Sequence, residues 1–193
     1  MHDWTGKYRG RFAPSPTGPL HFGSLVAAVG SCLEARIRGG EWLVRMEDLD
    51  RQREAPGAAE AILRVLEAYG FEWDGEIVFQ SRRDAAYGAA LARLEEQGAV
   101  FRCACTRREI SDFSLSIAGE PVYPGTCRNG VARGRAARTT RVRVENAAIA
   151  CDDLVQGRIE RHLANEVGDF VVRRADGYFA YQLAVVVDDF EQG

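Results

Sequence analysis

Lysine is nearly absent from this chain of 193 residues, because every one of its 25 basic residues except Lys7 is arginine. That bias fits GC-rich coding, and it excludes any lysine-bearing motif after the seventh position. Long apolar runs are missing too. No stretch approaches the roughly 20 apolar residues of a membrane-spanning helix. The opening Met1-His2-Asp3-Trp4-Thr5-Gly6-Lys7 has no apolar core of the kind a signal peptide needs. A cytoplasmic protein with no membrane partner is the expectation. A formal net charge of -3 leaves no global basic excess, so any nucleic-acid contact must come from a local patch. There is no internal repeat. The five cysteines are odd in number and include a tight Cys-x-Cys. Without a secretion signal, this pattern points to metal binding rather than to disulfides.

The remaining composition, 46% hydrophobic and 27% charged, is that of a globular protein with one domain or one domain carrying an insertion. Tyr8 to Ala13 reads as a buried strand. Leu25 to Arg36 suits a helix with Leu25, Ala28, Val29, Cys32 and Leu33 on its apolar face, ended by Gly39-Gly40. Trp42 to Met46 reads as the next strand, and this βαβ beginning implies a parallel sheet with helices on its faces. Helices are expected at Ala58 to Tyr69 and Arg83 to Gln97, stopped by Gly70 and Gly98, with a strand at Ile77 to Gln80 between them. Composition shifts at Phe101. Cysteines, a Gly/Arg-rich loop from Gly125 to Arg138 and a short strand at Arg141 to Val144 suggest an inserted subdomain. Phe170 to Arg174 and Phe179 to Val187 regain apolar strand or helix character and are expected to rejoin the first sheet. The resulting division is 1–100, 101–165 and 166–193.

The segment Arg11-Phe12-Ala13-Pro14-Ser15-Pro16-Thr17-Gly18-Pro19-Leu20-His21-Phe22-Gly23-Ser24 joins a strand, a proline-stiffened turn and a helix start. Such a corner binds phosphate, because unpaired N–H groups and the helix dipole both favour an anion. His21 can donate a hydrogen bond to a phosphate or a transition state, although a lone histidine is more often a surface or core residue. Arg11 ends its strand where α/β folds place ligands. Alone, it reads as a surface salt bridge. The acids of Met46-Glu47-Asp48-Leu49-Asp50 end the second strand at the same sheet edge. One of them could hold a substrate ammonium, or they could simply cap the next helix.

Taken together, these residues resemble the class I aminoacyl-tRNA synthetases of the glutamyl/glutaminyl group. Their His-Ile-Gly-His signature appears here as His21-Phe22-Gly23-Ser24, with serine in place of the second histidine. Their Arg-x-Glu-Asp-x-Asp pattern appears as Arg45 to Asp50. The run Asp176 to Asp189, containing Tyr181-Gln182-Leu183-Ala184, is the second long match. The resemblance implies a Rossmann-type class I catalytic domain with an inserted zinc-binding subdomain. It implies that Pro14 to Ser24 handle ATP, with His21, Gly23 and Ser24 catalytic. It places Arg11, Phe12, Ala13, Pro14, Ser15, Glu47 and Tyr181 against glutamate. Tyr181 would otherwise be a core aromatic, and Asp188 and Asp189 could be structural caps.

Cys103-Ala104-Cys105 and Cys127 offer three thiolates, and one further donor would complete a closed, structural zinc site. Water, His162 or Tyr123 could supply it. The Tyr123-x-x-x-Cys127 spacing is the arrangement of the glutamyl-Q tRNA(Asp) synthetase family, whereas conventional glutamyl-tRNA synthetases commonly close the site with Cys-x-His. Cys32 and Cys151 read as buried thiols. The glutamyl-Q pattern implies ATP with Mg²⁺, glutamate and queuosine-bearing tRNA(Asp) as substrates of a monomer. The Arg-rich loop from Arg128 to Arg143 is either an RNA phosphate contact or a solvated loop. The family's second signature carries a lysine, which this sequence does not contain after Lys7, so a fragment of a longer enzyme is expected.

Overall fold

A computed structural model describes residues 6–111 and 122–193. The chain divides into two compact units, Met1–Tyr87 with Ala184–Gly193, and Gly88–Leu183. In chain order the elements are β1 Arg9–Phe12, α1 Phe22–Ile37, β2 Glu41–Met46, α2 Ala58–Ala68, β3 Val78–Phe79 and α3 Asp84–Glu96. They continue with β4 Val100–Cys103, α4 Arg107–Ser111, β5 Thr139–Val142, β6 Ala148–Asp153, β7 Gly157–His162, α5 Leu163–Glu166, β8 Val171–Arg173 and α6 Tyr181–Gln192.

In the first unit β1, β2 and β3 form a parallel sheet, with Phe12 paired to Val44 and Met46 to Phe79. The central strand β2 carries Trp42, Val44 and Met46 on one face, all without solvent exposure, and Arg45 on the other face is buried as well. Trp42 stacks with Phe12 and Phe71, and its indole N–H donates to Ser31 Oγ at 2.9 Å, so its one polar atom is satisfied. Helix α1 buries Ala28 and Ala35 against the sheet, while Val29 and Leu33 of the expected apolar face are exposed. The reason is close approach. A Cβ on Gly10 would lie 2.8 Å from the Ser31 carbonyl and 3.0 Å from Ala35 Cβ, so the helix docks through its small residues and turns the larger ones outward. The expected strand at Ile77 to Gln80 shortens to β3, followed by a 3₁₀ turn over Gln80–Arg82.

That turn brings polar groups to Asp188. The fully buried Asp188 carboxylate accepts from Gln80 Nε2 at 2.7 Å, Arg83 Nε at 2.7 Å and Tyr87 Oη at 2.9 Å. A buried charge is tolerated only with such compensation. Asp188 is therefore more than the helix cap considered from sequence.

The second unit is built on an antiparallel sheet in the order β4-β5-β8. Strand β8, expected to rejoin the first sheet, pairs instead with β5 through Thr140–Arg173 and Arg141–Val171, across a register shift between Thr140 and Arg141. The expected strand at Arg141 to Val144 begins earlier, as β5, and ends at Val142. Asp169 receives the Val144 amide and the Arg128 guanidinium on its carboxylate, while its carbonyl accepts from Arg141. Strands β6 and β7 form a separate exposed hairpin. Cys151 lies on it and is exposed, and Cys32 is only partly covered, so neither is the buried thiol expected. The ambiguous run at Phe179 to Val187 is helical from Tyr181, the start of α6, while Phe179 bridges antiparallel to Arg173. No helix among the described residues is long and apolar enough to cross a membrane.

Asp188→Ala leaves Arg83, Gln80 and Tyr87 without their shared acceptor, and the expected loss is about 3–5 kcal/mol of unfolding free energy, with a smaller loss for Asp188→Asn. Urea denaturation checks this, and a change below about 1 kcal/mol contradicts a structural role for the carboxylate.

Candidate functional site

The corner between β1 and α1 is fixed by its own backbone. The Pro14 carbonyl accepts the Glu47 amide at 2.9 Å, and the Pro16 carbonyl accepts the Ala55 amide at 3.0 Å. These bonds lay the proline turn alongside the segment that follows β2. His21 caps α1, with Nδ1 accepting the Ser24 amide at 3.2 Å. That bond makes Nδ1 the acceptor, so a neutral His21 carries its proton on Nε2 and can donate it to a ligand. Gly23 suits the same arrangement, since a Cβ there would lie 3.1 Å from the imidazole and crowd it. The first turn of α1 holds no acidic side chain, so no carboxylate within the turn itself opposes the positive end of the helix dipole.

A cavity of about 620 Å³ opens along this corner and is lined by Phe12, Ala13, Ser15, His21, Gly23 and Ser24 among others. Pro14 and the rest of the turn contribute as well. A smaller cleft of about 270 Å³ shares Ser15 and Thr17 with it and is lined by Glu47, Asp48 and Asp50 on its other side. Phe12 is mainly a core residue, stacked on Trp42.

Arg11 lines neither space. Its Nη2 donates to the Gly193 carbonyl at 2.6 Å, and its Nε lies 3.9 Å from Asp189 without a hydrogen bond among the described residues. Burial lowers its pKa, only partly opposed by Asp189. Tyr181 opens α6 with its ring exposed. The chain therefore places the residues from Pro14 to Ser24, except Pro16 and Phe22, along one cavity, and Pro16 and Glu47 in the adjoining cleft, all within the first unit. Burial raises the Glu47 pKa, and Arg45 opposes that shift with a 3.3 Å bond from Nη2 to Oε1.

In the second unit, Cys103, Cys105 and Cys127 are buried and unbridged, and their sulfurs lie within 4.8 Å of one another. The Cys105 and Cys127 sulfurs are 3.6 Å apart, against about 3.8 Å for the edge of a zinc tetrahedron with Zn–S bonds near 2.3 Å. Tyr123 Oη stands 3.4 Å from Cys103 Sγ and 3.8 Å from Cys105 Sγ, close to the roughly 3.5 Å expected between oxygen and sulfur ligands of one zinc ion. The same oxygen accepts the Cys127 amide at 2.7 Å, which fixes its position. His162 sits exposed at the end of β7 and is not part of the cluster.

Burial works against the Cys103 thiolate, but the Tyr123 hydroxyl, the Cys105 amide and Arg141 bring this thiol down to about 7. Burial pushes Cys105 up to about 11. Several thiolates this close repel one another, and a divalent cation is what allows them to ionise together. The donor set fits zinc. Among the arginines of the nearby loop, Arg128 and Arg135 are tied to Asp169 and Glu109, and Arg141 and Arg143 lie over the rings of Tyr123 and Phe101. Arg133 and Arg138 are exposed and have no such partners among the described residues.

The purified protein is expected to carry about one zinc ion per chain by elemental analysis, and Cys105→Ala to lose both the metal and thermal stability. Full stability after complete metal removal contradicts a structural site.

Comparison with known proteins places this geometry. The family model for tRNA synthetases class I (E and Q), catalytic domain, matches residues 7–193. A protein of Dechloromonas aromatica (strain RCB) named glutamyl-Q tRNA(Asp) synthetase is 62% identical over 188 residues, covering 96% of this chain and 62% of that relative. A protein of the same name from Aromatoleum aromaticum is 60% identical over 193 residues, covering 100% of this chain and 61% of its own length. The crystal structure of a glutamate tRNA ligase from Elizabethkingia meningosepticum CCUG26117, in complex with its amino acid, superposes with a TM-score of 0.81 at 26% identity. That match covers 97% of this chain and 42% of the ligase. The chain spans a little over three-fifths of the length of these two curated relatives. It belongs to the class I tRNA synthetases of the E and Q type, within their catalytic domain.

Proposed function

We propose that the complete protein activates glutamate with ATP and transfers it to the queuosine base of tRNA(Asp). The observation that carries this reading is the β1–α1 corner, where His21 is held by the Ser24 amide beside a cavity at a helix N-terminus. The names of the relatives quoted above support the choice of acceptor.

In the first step the glutamate carboxylate attacks the α-phosphorus of ATP, the bridging P–O bond breaks, and pyrophosphate leaves glutamyl-adenylate behind. In the second, a hydroxyl of the queuosine base attacks the activated carbonyl, its proton passes to solvent, and AMP departs. Catalysis of the first step is positioning and charge stabilisation. His21 Nε2 and the α1 amides donate to phosphate oxygens, with Gly23 leaving room for the imidazole and the Ser24 amide holding its tautomer. Glu47 takes the substrate ammonium and Ser15 a further polar group of glutamate, with Phe12, Ala13 and Pro14 forming the wall; for Arg11 and Tyr181 the family resemblance alone supports a glutamate contact. Mg²⁺ enters with ATP and neutralises phosphate charge. Cys103, Cys105, Cys127 and Tyr123 hold a zinc ion whose contribution is to the folding of the second unit. Within the loop from Arg128 to Arg143, Arg133 and Arg138 are exposed and unpaired among the described residues, which suits contact with RNA phosphates. The enzyme works in the cytoplasm as a monomer.

Labelled glutamate supplied to the complete gene product is expected to enter tRNA that contains queuosine and not tRNA that lacks it. Equal incorporation into both identifies an ordinary glutamyl-tRNA synthetase instead, and no incorporation into either rejects activation and transfer altogether.

A further inference from the structure

The buried guanidinium of Arg45 takes no part in the reading above. It belongs to β2, is 3% exposed, and stands two residues before Glu47. Its Nη1 donates to Asp189 Oδ1 at 2.7 Å and to Gln192 Oε1 at 2.8 Å, both on α6. Its Nε lies 4.0 Å from Asp188 Oδ2. Its Nη2 reaches Glu47 Oε1 at 3.3 Å. The charge of Arg45 is thus met chiefly by α6. Glu47 receives only one longer bond, and its Oε2 has no partner among the described residues. That free oxygen belongs to a side chain lining the cleft beside Ser15.

We propose that Arg45 is a positioning residue that holds the Glu47 carboxylate in the orientation that receives the substrate ammonium, and that Asp189 on α6 holds Arg45 in turn. The inference rests on the reading that the Glu47 cleft binds the amino-acid substrate. A guanidinium suits the task because its fork engages α6 and Glu47 through different nitrogens at once. The single bond to Oε1 fixes the direction of the carboxylate and leaves Oε2 for the ligand. The Glu47 amide, bonded to the Pro14 carbonyl, sets the backbone end of the same arrangement. Asp189 is half exposed, and its loss loosens Arg45 without opening the core. Helix α6 thereby acts on a substrate contact that none of its described side chains bonds directly.

The test is steady-state pyrophosphate exchange on the complete gene product, with the Michaelis constants for glutamate and ATP measured separately. Arg45→Met is expected to raise the glutamate KM about tenfold or more, with kcat and the ATP KM changed by less than about threefold. Arg45→Lys recovers part of the loss. Asp189→Asn gives a smaller increase of the same kind and serves as the readout if Arg45→Met does not fold. Glu47→Gln raises the glutamate KM by itself, and adding Arg45→Met to it produces no further increase, because Arg45 acts through Glu47. If the two substitutions multiply, or if Glu47→Gln raises the glutamate KM while Arg45→Met and Asp189→Asn leave it unchanged, the positioning role is overturned and the substrate reading stands. An unchanged glutamate KM in Glu47→Gln removes the substrate reading and the inference together.

Discussion

The first unit depends on a buried carboxylate. Asp188 has no contact with solvent, yet it takes hydrogen bonds from three side chains of the segment after β3, between 101 and 108 residues away in sequence. Each donor would be costly to bury alone, and the charge would be costlier still. Together they satisfy one another and return the last turns of α6 to the sheet that opens the chain. Placing Asp188 there also places its neighbour Asp189, which pairs with Arg45 at 2.7 Å and approaches Arg11. Three elements far apart in sequence, β1, β2 and α6, therefore share one electrostatic arrangement beside the Glu47 cleft.

The corner at β1 works by a different economy. Its bonds are between backbone groups, so proline and glycine shape it and few side chains are needed. Pro14 and Pro16 offer carbonyls to the segment after β2, Gly10 admits α1 close to the sheet, and Gly23 leaves room for the imidazole. The outcome is a helix N-terminus open to an anion, with a histidine whose donor nitrogen is already chosen. The second unit solves the problem of a small core differently. Phe101 and Tyr123 pack with the cysteines, whose sulfurs lie close enough together to hold a metal ion.

Much of this was legible in the sequence. The apolar run of β2, the glycine stops and the proline turn carry local signals, and the βαβ beginning follows from them. The cysteine spacing points to one cluster, and Cys103, Cys105 and Cys127 do lie together in the second unit. What sequence could not reach is non-local. Nothing near Asp188 announces partners a hundred residues upstream, and an acid pair late in an apolar helix looks like a cap. The burial of α1 through Ala28 and Ala35, rather than Val29 and Leu33, depends on Gly10 of another element. The pairing of β8 with β5 escaped because its three residues, Val171–Arg173, carry no directional signal. A continuous apolar run such as Phe179 to Val187 fits helix and strand alike until its neighbours are known. The tautomer of His21 needed the position of the Ser24 amide.

The most direct measurement is a crystal structure of the complete protein with a non-hydrolysable analogue of glutamyl-adenylate. The account requires the phosphate of the analogue at His21 Nε2 and the α1 amides, and its ammonium on Glu47 Oε2, with Arg45 still bridging Glu47 and Asp189. An analogue bound away from the β1–α1 corner, or seated there with its ammonium beyond hydrogen-bond distance of Glu47, contradicts it.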